Sequence, residues 1–344
     1  MKRWLPLLLV CLLLLAGCSG SPAEESAQTE TPQQAAETAV PAAAEPTLEK
    51  LEIVSKPLKM NYDSGDTFDP TGLRIDALMS DGSVLEDVAW EIENPIIGPK
   101  TSAVNISCMG TRLMLSVTVT VKGNTDAYSV AQTPEVESSP LKGKTIFWLG
   151  SSVTEGASAG GESMVDFIGK KYAIHTIKEA VSGTTLATYK DNSYVERLDA
   201  YLVSPDRAEV VDAFVCQLST NDTSHSAEFG QVFPDFITDP AAFDTASTFG
   251  AIEYIIARVR ETWDCPIYFY TNPPTGNPAY GTMVAGLYQI AEKWNVTVID
   301  LYSDEVFNDI TEAERALYMS DPIHPTKAGY REWWLPRFEE ALGA

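Results

Sequence analysis

Residues 147–156 have the sequence Phe147-Trp148-Leu149-Gly150-Ser151-Ser152-Val153-Thr154-Glu155-Gly156. The first three residues are apolar, as in a short buried strand, and a Gly-Ser-Ser turn follows them directly. Further short apolar runs occur along the chain, and each of them predicts a strand that is buried on both faces of a sheet. The predicted strands are Thr145 to Leu149, Thr176 to Ala180, Ala213 to Leu218, Ile267 to Thr271 and Val296 to Leu301.

Amphipathic runs lie between these strands. Their apolar residues recur at helical spacing on one face. Two such faces are formed by Phe249, Ile252, Ile255, Ile256, Val259 and Trp263, and by Met283, Val284, Leu287, Ile290, Ala291 and Trp294. Strands that alternate with helices predict a parallel α/β sheet with right-handed crossovers. In such sheets a ligand site lies at the carboxyl ends of the strands.

Polar residues with catalytic chemistry follow the predicted strands. Ser152 follows the first strand, and Asp321 precedes His324 by three positions after the fifth. A serine becomes nucleophilic when a neighbouring base takes its proton, and the chain has only three His residues: His175, His225 and His324. We therefore expect Ser152 to be a nucleophile, His324 its base, and Asp321 the residue that orients His324.

An oxyanion site is expected at the same edge of the sheet. Gly183 follows the second predicted strand and Asn221 follows the third. The backbone N–H groups of Ser152 and Gly183 and the side-chain amide of Asn221 can then face a developing negative charge. No Cys/His cluster has the spacing of metal ligands, so we expect no metal site, and the acyl-enzyme chemistry requires no cofactor.

These blocks, in this order and spacing, resemble the SGNH (GDSL-type) hydrolase family, and the resemblance spans residues 143–344. It implies that Ser152 is the nucleophile of the first block. It also implies that Gly183 and Asn221 are the glycine and asparagine of the second and third blocks, and that Asp321 and His324 form the Asp-x-x-His of the last block. It also implies a flavodoxin-like, three-layer α/β/α sandwich that hydrolyses esters or thioesters, often acyl groups on carbohydrate. The chain departs from the family in two blocks, which read Gly-Ser-Ser instead of Gly-Asp-Ser and Ser-Thr-Asn-Asp instead of Gly-x-Asn-Asp.

The sequence from residue 48 to 122 has no helical period. Residues 51–54 predict a short strand, residues 72–78 alternate, and Ser80-Asp81-Gly82-Ser83 predicts a hairpin turn. Residues 113–121 also alternate, which predicts one half-buried strand. Together these features predict that residues 48–122 form a small all-β sandwich. This part resembles bacterial immunoglobulin-like domains, which implies a spacer or a module that contacts cell-wall glycan. Residues 123–142 are polar and predict a linker.

The N-terminus has the features of a targeting segment. Lys2-Arg3 precedes an apolar run from Trp4 to Ala16, and small residues lead to Cys18. This resembles a lipoprotein signal peptide over residues 1–17, which implies a lipidated Cys18 and attachment to a membrane through its acyl chains. An uncleaved anchor is the alternative, although the run is shorter than the ~20 residues of a spanning helix. Residues 18–47 then predict a solvated tether.

The net charge of −24, from 24 Lys and Arg against 48 Asp and Glu, argues against a nucleic-acid partner. Taken together, the features predict a serine esterase that is lipid-anchored at the bacterial cell surface and removes acyl groups, chiefly acetyl, from carbohydrate. The alternatives are a lipid acyl hydrolase or thioesterase, and a surface glycan-binding protein without catalytic activity.

Overall fold

A computed structural model describes residues 45–344 of the chain. The predicted signal peptide (1–17), Cys18 and most of the predicted tether (18–47) lie outside the described residues. Residues Thr47–Ala344 form one compact unit. Across residues 45–344, no helix combines the length and the apolar character that crossing a membrane requires.

The first part of this unit, residues 47–121, consists of short strands and is called the β-region below. Its strands are β1 Leu48–Ser55, β2 Asn61–Asp63, β3 Arg74–Met79, β4 Val84–Leu85, β5 Trp90–Ile92, β6 Ala103–Cys108, β7 Thr111–Ser116 and β8 Thr118–Thr120. One antiparallel sheet has the order β1-β3-β4, another has the order β5-β6-β7, and β2 pairs with β8 in parallel. The β-region buries its own apolar core, in which Ile75, Ala77 and Ile106 are fully inaccessible.

The prediction of one continuous strand over residues 113–121 is wrong. The chain breaks at Val117 into β7, which pairs with β6, and β8, which pairs with β2. The backbone N–H of Val117 donates to Ser102, and that of Thr118 donates to Met60. The alternating pattern persists across the break because it records which side chains face inward and not which strand is the partner.

The second part, residues 143–344, alternates strands with helices and is called the α/β-region. Its strands are β9 Thr145–Gly150, β10 His175–Ala180, β11 Ala213–Gln217, β12 Ile267–Tyr270 and β13 Thr297–Ile299. Its helices are α1 Ser152–Glu155, α2 Met164–Tyr172, α3 Tyr194–Leu202, α4 Thr248–Thr262, α5 Pro278–Trp294, α6 Glu305–Asn308, α7 Glu312–Tyr318 and α8 Leu335–Leu342. A π-helical segment, Gly329–Trp334, leads into α8.

All five strands pair in parallel in the order β10-β9-β11-β12-β13. Numbered within the sheet this is 2-1-3-4-5, the flavodoxin-like order, in which ligands bind at the carboxyl ends of the strands. The predicted α/β class is confirmed, and each predicted strand lies within two residues of the observed bounds. The strand order places β9 between β10 and β11, and β9 is the strand that leads directly into the Ser152 turn.

Side chains of β9 alternate between two apolar cores. Phe147 and Leu149 pack into the core that contains α3, α4 and α5, whereas Ile146 and Trp148 pack into the core that contains α2 and α8. All four side chains are at most 1% exposed. Since helices cover both faces of the sheet, the α/β-region has three layers.

The predicted linker (123–142) begins with three short 3-10 turns, which lie within residues 122–132 along the α/β-region. The Asn124 side chain donates to the carbonyl of Ser158 (2.7 Å) and accepts from the backbone N–H of Lys327 (2.9 Å). Gly123 packs so closely on the Leu317 carbonyl that a methyl group there would overlap it. This segment is therefore bonded to the α/β-region.

Candidate active site

Three predicted residues lie together at the carboxyl edge of the sheet. Ser152 begins α1 immediately after β9, and its Oγ lies 2.8 Å from Nε2 of His324. Nδ1 of the same ring lies 2.9 Å from each carboxylate oxygen of Asp321. Ser152 is 8% exposed, so most of the residue is buried and a small part of it remains accessible. The fold thus joins residues 172 positions apart into one hydrogen-bonded chain.

Asp321 is fixed by a turn of its own backbone. Its Oδ1 accepts the N–H groups of Ile323 and His324, both at 2.9 Å, and Nζ of Lys100 in the β-region lies 2.6 Å from Oδ2. Burial alone would raise the pKa of Asp321. The hydrogen bonds from His324, Lys100 and the backbone outweigh burial and hold the pKa of this carboxyl well below its ordinary value of 3.8. Asp321 is therefore ionised at neutral pH, the state that can accept Nδ1–H of His324.

Ser151 occupies the position of the family's aspartate and stabilises the turn that carries Ser152. Its backbone N–H and its hydroxyl both donate to Oε1 of Gln217, at 2.9 and 3.2 Å. The Thr154 hydroxyl donates to the same oxygen at 2.9 Å. Gln217 ends β11, so this buried contact connects the Ser152 turn to the neighbouring strand.

The loops that carry Gly183 and Asn221 meet at one carbonyl group. Gly183 is exposed and has φ of +79°, a left-handed conformation that glycine adopts without strain. The carbonyl of Thr184 accepts from Nδ2 of Asn221 (2.8 Å) and from the hydroxyl of Ser219 (3.2 Å). Ser219 also accepts from the backbone N–H of Asn221 at 3.1 Å. Ser219, the second departure from the family pattern, therefore connects these two loops.

An amide nitrogen carries two hydrogens. Only one of the two on Nδ2 of Asn221 is needed for the bond to Thr184, so the second can donate to another acceptor. The side chain is half-buried, and its hydrogen bond to Thr184 fixes its orientation.

Arg197 is a buried residue that sequence reasoning missed. Its side chain is 6% exposed. One guanidinium nitrogen donates to the carbonyl of Gly150 (2.7 Å) and the Thr184 hydroxyl (3.2 Å), and another donates to the carbonyl of Glu179 (2.9 Å). Arg197 thereby fixes the ends of β9 and β10 beneath the Ser152 turn. A charged residue in an amphipathic helix is ordinarily assigned to solvent, so no sequence signal marked it.

Asp222 braces the adjoining loop. Its buried carboxylate accepts the backbone N–H groups of Leu186 (2.9 Å) and Ala187 (3.3 Å) and the hydroxyls of Tyr189 (2.8 Å) and Thr248 (3.2 Å). Burial raises the pKa of Asp222, and the hydrogen bonds that it accepts offset this only in part. These contacts fix the segment that follows Gly183.

The two other His residues lie elsewhere. His175 is exposed at the start of β10, the end of the strand opposite to the site. His225 packs its ring against Tyr189, with 4.1 Å between ring centroids. Within residues 45–344, His324 is the one His that hydrogen-bonds Ser152.

Several solved structures are similar to the chain. A protein from Lactobacillus plantarum has 20% identity and a TM-score of 0.47, covering 59% of this chain and 97% of that one. A GDSL-like lipase from Bacteroides uniformis has 16% identity and a TM-score of 0.42, covering 58% and 96%. A variant of an acetyl xylan esterase from Geobacillus stearothermophilus has 17% identity and a TM-score of 0.40, covering 59% and 95%.

No curated protein matches the chain. The family model of the GDSL-like lipases and acylhydrolases matches residues 148–332, which is more than half of the chain. The matched segment begins within β9 and contains every predicted residue of the site, from Ser152 to His324. The chain belongs to the GDSL-like lipase/acylhydrolase family and is an ester hydrolase of the SGNH type.

Proposed function

We propose that the protein is a serine esterase of the bacterial cell surface that removes acyl groups, chiefly acetyl groups, from carbohydrate. Its catalytic residues are Ser152, His324 and Asp321. The observation that carries this proposal is the unbroken hydrogen-bond chain of 2.8 and 2.9 Å through these three side chains. It supplies a nucleophile, a base and an orienting carboxylate in the arrangement that acyl transfer requires.

The reaction has two halves. Ser152 Oγ bonds to the acyl carbon while its proton passes to Nε2 of His324. When the tetrahedral intermediate collapses, the bond from the acyl carbon to the alcohol oxygen breaks, and His324 gives the proton to that oxygen. Water then attacks the acyl-enzyme and gives a proton to His324, which returns it to Ser152 as the carboxylic acid leaves.

The negative oxygen of both intermediates needs donors that are already in place. The backbone N–H groups of Ser152 and Gly183 and the second N–H of the Asn221 amide are the proposed donors. The bonds from Ser219 and Asn221 to Thr184 support this assignment, because they fix the two loops before substrate arrives.

The proposed location rests on the sequence of the N-terminus and on the β-region. The apolar run before Cys18 supports lipidation and attachment to a membrane, and residues 18–47 serve as the tether. The β-region has antiparallel sheets and its own core, which supports an immunoglobulin-like domain over residues 48–122. A cell-surface protein of this organisation has acylated glycan within reach, which favours a carbohydrate hydroxyl as the alcohol portion of the ester substrate.

A lipid acyl hydrolase or thioesterase is the second candidate. A cavity beside Asp321 has several aliphatic side chains in its wall, and such a wall would also suit a long acyl chain. The third alternative, a glycan-binding protein without catalysis, is opposed by membership of an ester hydrolase family.

The test is hydrolysis of nitrophenyl esters of increasing acyl length and of acetylated oligosaccharides by the parent protein and by Ser152→Ala and His324→Ala. Each variant should fall to near background, and the double variant should lose little more than either, because the residues act as one unit. A fluorophosphonate probe should label Ser152 in the parent alone. Near-normal turnover by folded Ser152→Ala, or labelling of another serine, would overturn the mechanism. A preference for long acyl esters would favour the second candidate.

A further inference from the structure

A cavity of about 640 Å³ lies between the β-region and the α/β-region. Residues 96–99 of the β-region form one wall, and residues 274–276, α7 and residues 319–322 form the other. Asp321, the orienting carboxylate of the site, is part of this wall. The volume falls within the ~300–1,000 Å³ typical of ligand pockets, which occur preferentially between domains.

The position of the cavity relative to Ser152 assigns it to one half of the substrate. His324 must deliver a proton to the departing alcohol oxygen, so the alcohol portion lies on the His324 side of Ser152. The acyl oxygen points instead toward Gly183 and Asn221. The His324 ring bridges Ser152 and Asp321. Asp321 lines the cavity and Ser152 and His324 do not, so the cavity lies on the Asp321 side of that ring. The cavity is therefore on the alcohol side.

An acetyl group cannot be the part of the substrate that fills this space. Two hydrogen bonds, of 2.8 and 2.9 Å, and the width of the imidazole separate Ser152 Oγ from the Asp321 carboxylate. A group that is bonded to Ser152 through a two-carbon acyl unit does not extend past them. An alcohol portion of several linked units does.

The walls of the cavity combine aliphatic surface with free charged groups. Ile96 and Pro99 face it from the β-region, and Ala316 faces it from α7. The side chains of Glu312 and Arg315 also line it, and neither forms a hydrogen bond or ion pair with another side chain in the described part of the chain. A sugar presents C–H faces that pack on aliphatic groups and hydroxyls that bind a carboxylate or guanidinium.

We propose that this cavity binds the sugar portion of an O-acylated oligosaccharide whose acyl group is at Ser152. This rests on the proposed esterase function and extends it by making the β-region one wall of the substrate site. The ion pair between Lys100 and Asp321, 2.6 Å long, holds the β-region at the end of the cavity nearest the catalytic residues. The occupant is a carbohydrate, and long acyl chains and apolar alcohols are the competing outcomes of the test.

The experiment fills the cavity from each side in turn. Ala316→Trp changes the α/β-region wall and Ile96→Trp changes the β-region wall; both positions are exposed, so the larger side chain does not displace the core. Val306→Trp and Met114→Trp are the matched controls, at positions 82% and 70% exposed and outside the cavity. Melting temperatures establish that all four full-length variants are folded.

The substrates are 4-nitrophenyl acetate, octyl acetate, 4-nitrophenyl octanoate and mono-O-acetylated trisaccharides of glucose, xylose and N-acetylglucosamine. In the parent, at least one acetylated trisaccharide should have a higher kcat/KM than 4-nitrophenyl acetate. Both cavity variants should lower kcat/KM for that trisaccharide by about tenfold or more relative to 4-nitrophenyl acetate, mainly through KM, and the controls should keep the parent's ratio.

Three results would overturn the inference while leaving the esterase function intact: no trisaccharide preferred in the parent, an unchanged ratio in both cavity variants, or a selective loss on octyl acetate or 4-nitrophenyl octanoate instead. Failure of the parent to hydrolyse any ester in the panel would contradict the proposed function itself.

Discussion

The ammonium group of Lys100 lies 2.6 Å from the carboxylate of Asp321, although 221 positions separate them in the chain. Lys100 belongs to the β-region, and Asp321 orients the base of the proposed active site. Asp321 also accepts two backbone N–H groups, so its position does not depend on Lys100 alone. The main effect of Lys100 is therefore electrostatic: its positive charge offsets part of the negative charge of Asp321.

The first prediction concerns that charge. Lys100 offsets part of the negative charge of Asp321, which is the charge that stabilises the protonated ring of His324. Lys100→Met should therefore move the acid limb of the pH profile of kcat/KM to higher pH. The Lys100 side chain is 68% exposed, so the shift should be modest, roughly 0.1–0.7 pH unit, and should shrink at high salt. Lys100→Arg is the control and should keep the parent's profile. A shift to lower pH would contradict this account.

The second prediction concerns Asp321 itself. Its folded-state pKa lies below the ordinary value of 3.8, so the ionised carboxylate stabilises the fold above about pH 4 and this contribution is lost as the pH falls through the folded-state pKa. Asp321→Asn should lower the melting temperature at pH 7 and have a smaller effect at pH 3. Its loss of turnover should be about 10- to 100-fold smaller than that of Ser152→Ala, because His324 remains. An equal change in melting temperature at both pH values would count against the ionised state.

The third prediction concerns Asn221. Removal of a side-chain donor from an oxyanion site typically lowers kcat by roughly 100- to 1,000-fold. Asn221→Ala should show a loss of this size while its melting temperature falls only slightly, because within residues 45–344 the Asn221 side chain makes one hydrogen bond, to Thr184. Ser224→Ala, on the same 3-10 segment, is the control, since its exposed hydroxyl only donates to the carbonyl of Asn221. A change in kcat below about threefold would assign Asn221 a structural role.

The fourth prediction concerns Asp222. In Asp222→Asn one carboxylate oxygen becomes an NH₂ group, which cannot accept a hydrogen bond. In place of Oδ2 it would leave the Leu186 N–H without its acceptor, and in place of Oδ1 it would leave the Ala187 N–H and the Tyr189 hydroxyl without theirs. A buried donor left without an acceptor costs about 1–3 kcal/mol, so thermal or denaturant unfolding should show a loss of this size. Asp191→Asn, in the same loop and exposed, is the control. Unchanged stability of Asp222→Asn would mean that the loop does not depend on this carboxylate.

The fifth prediction concerns the segment between the two regions. A fragment that begins near Lys142 is expected from the sequence to fold and to hydrolyse small esters. It lacks the bonds of Asn124 to Ser158 and of the Val130 N–H to Glu162, which are each 2.7 Å long. A fragment that begins at Lys122 keeps them, and should unfold at higher temperature than the shorter one. Equal melting temperatures would show that these turns contribute nothing to the α/β-region.

Local patterns were sufficient to predict the sheet and the composition of the candidate site. Each strand of the α/β-region is a short apolar run, and the residues near Ser152, Gly183 and Asn221 directly follow such runs, so parallel pairing alone places them at one edge. Asp321 and His324 are close in sequence, and a turn of three residues is enough to align them.

Contacts between distant segments could not be predicted. Lys100 reaches Asp321 only because two regions with separate cores pack together, and no periodicity encodes that contact. Arg197 resembles an ordinary solvent-facing residue of α3 until the carbonyl groups of Gly150 and Glu179 are placed around it. The break at Val117 was hidden for a related reason, since alternation is preserved when a strand changes partners.

The separation of Ser152 from His324 along the chain has a consequence for folding. The nucleophile lies at the end of the first strand of the α/β-region, and its base follows the last strand by 25 positions, after Ile299. Contacts between residues this distant in sequence form slowly, because closing the chain between them costs conformational entropy before the contact is made. A chain that is still incomplete therefore carries an unactivated serine, and the appearance of ester hydrolysis during refolding should report the final step of assembly.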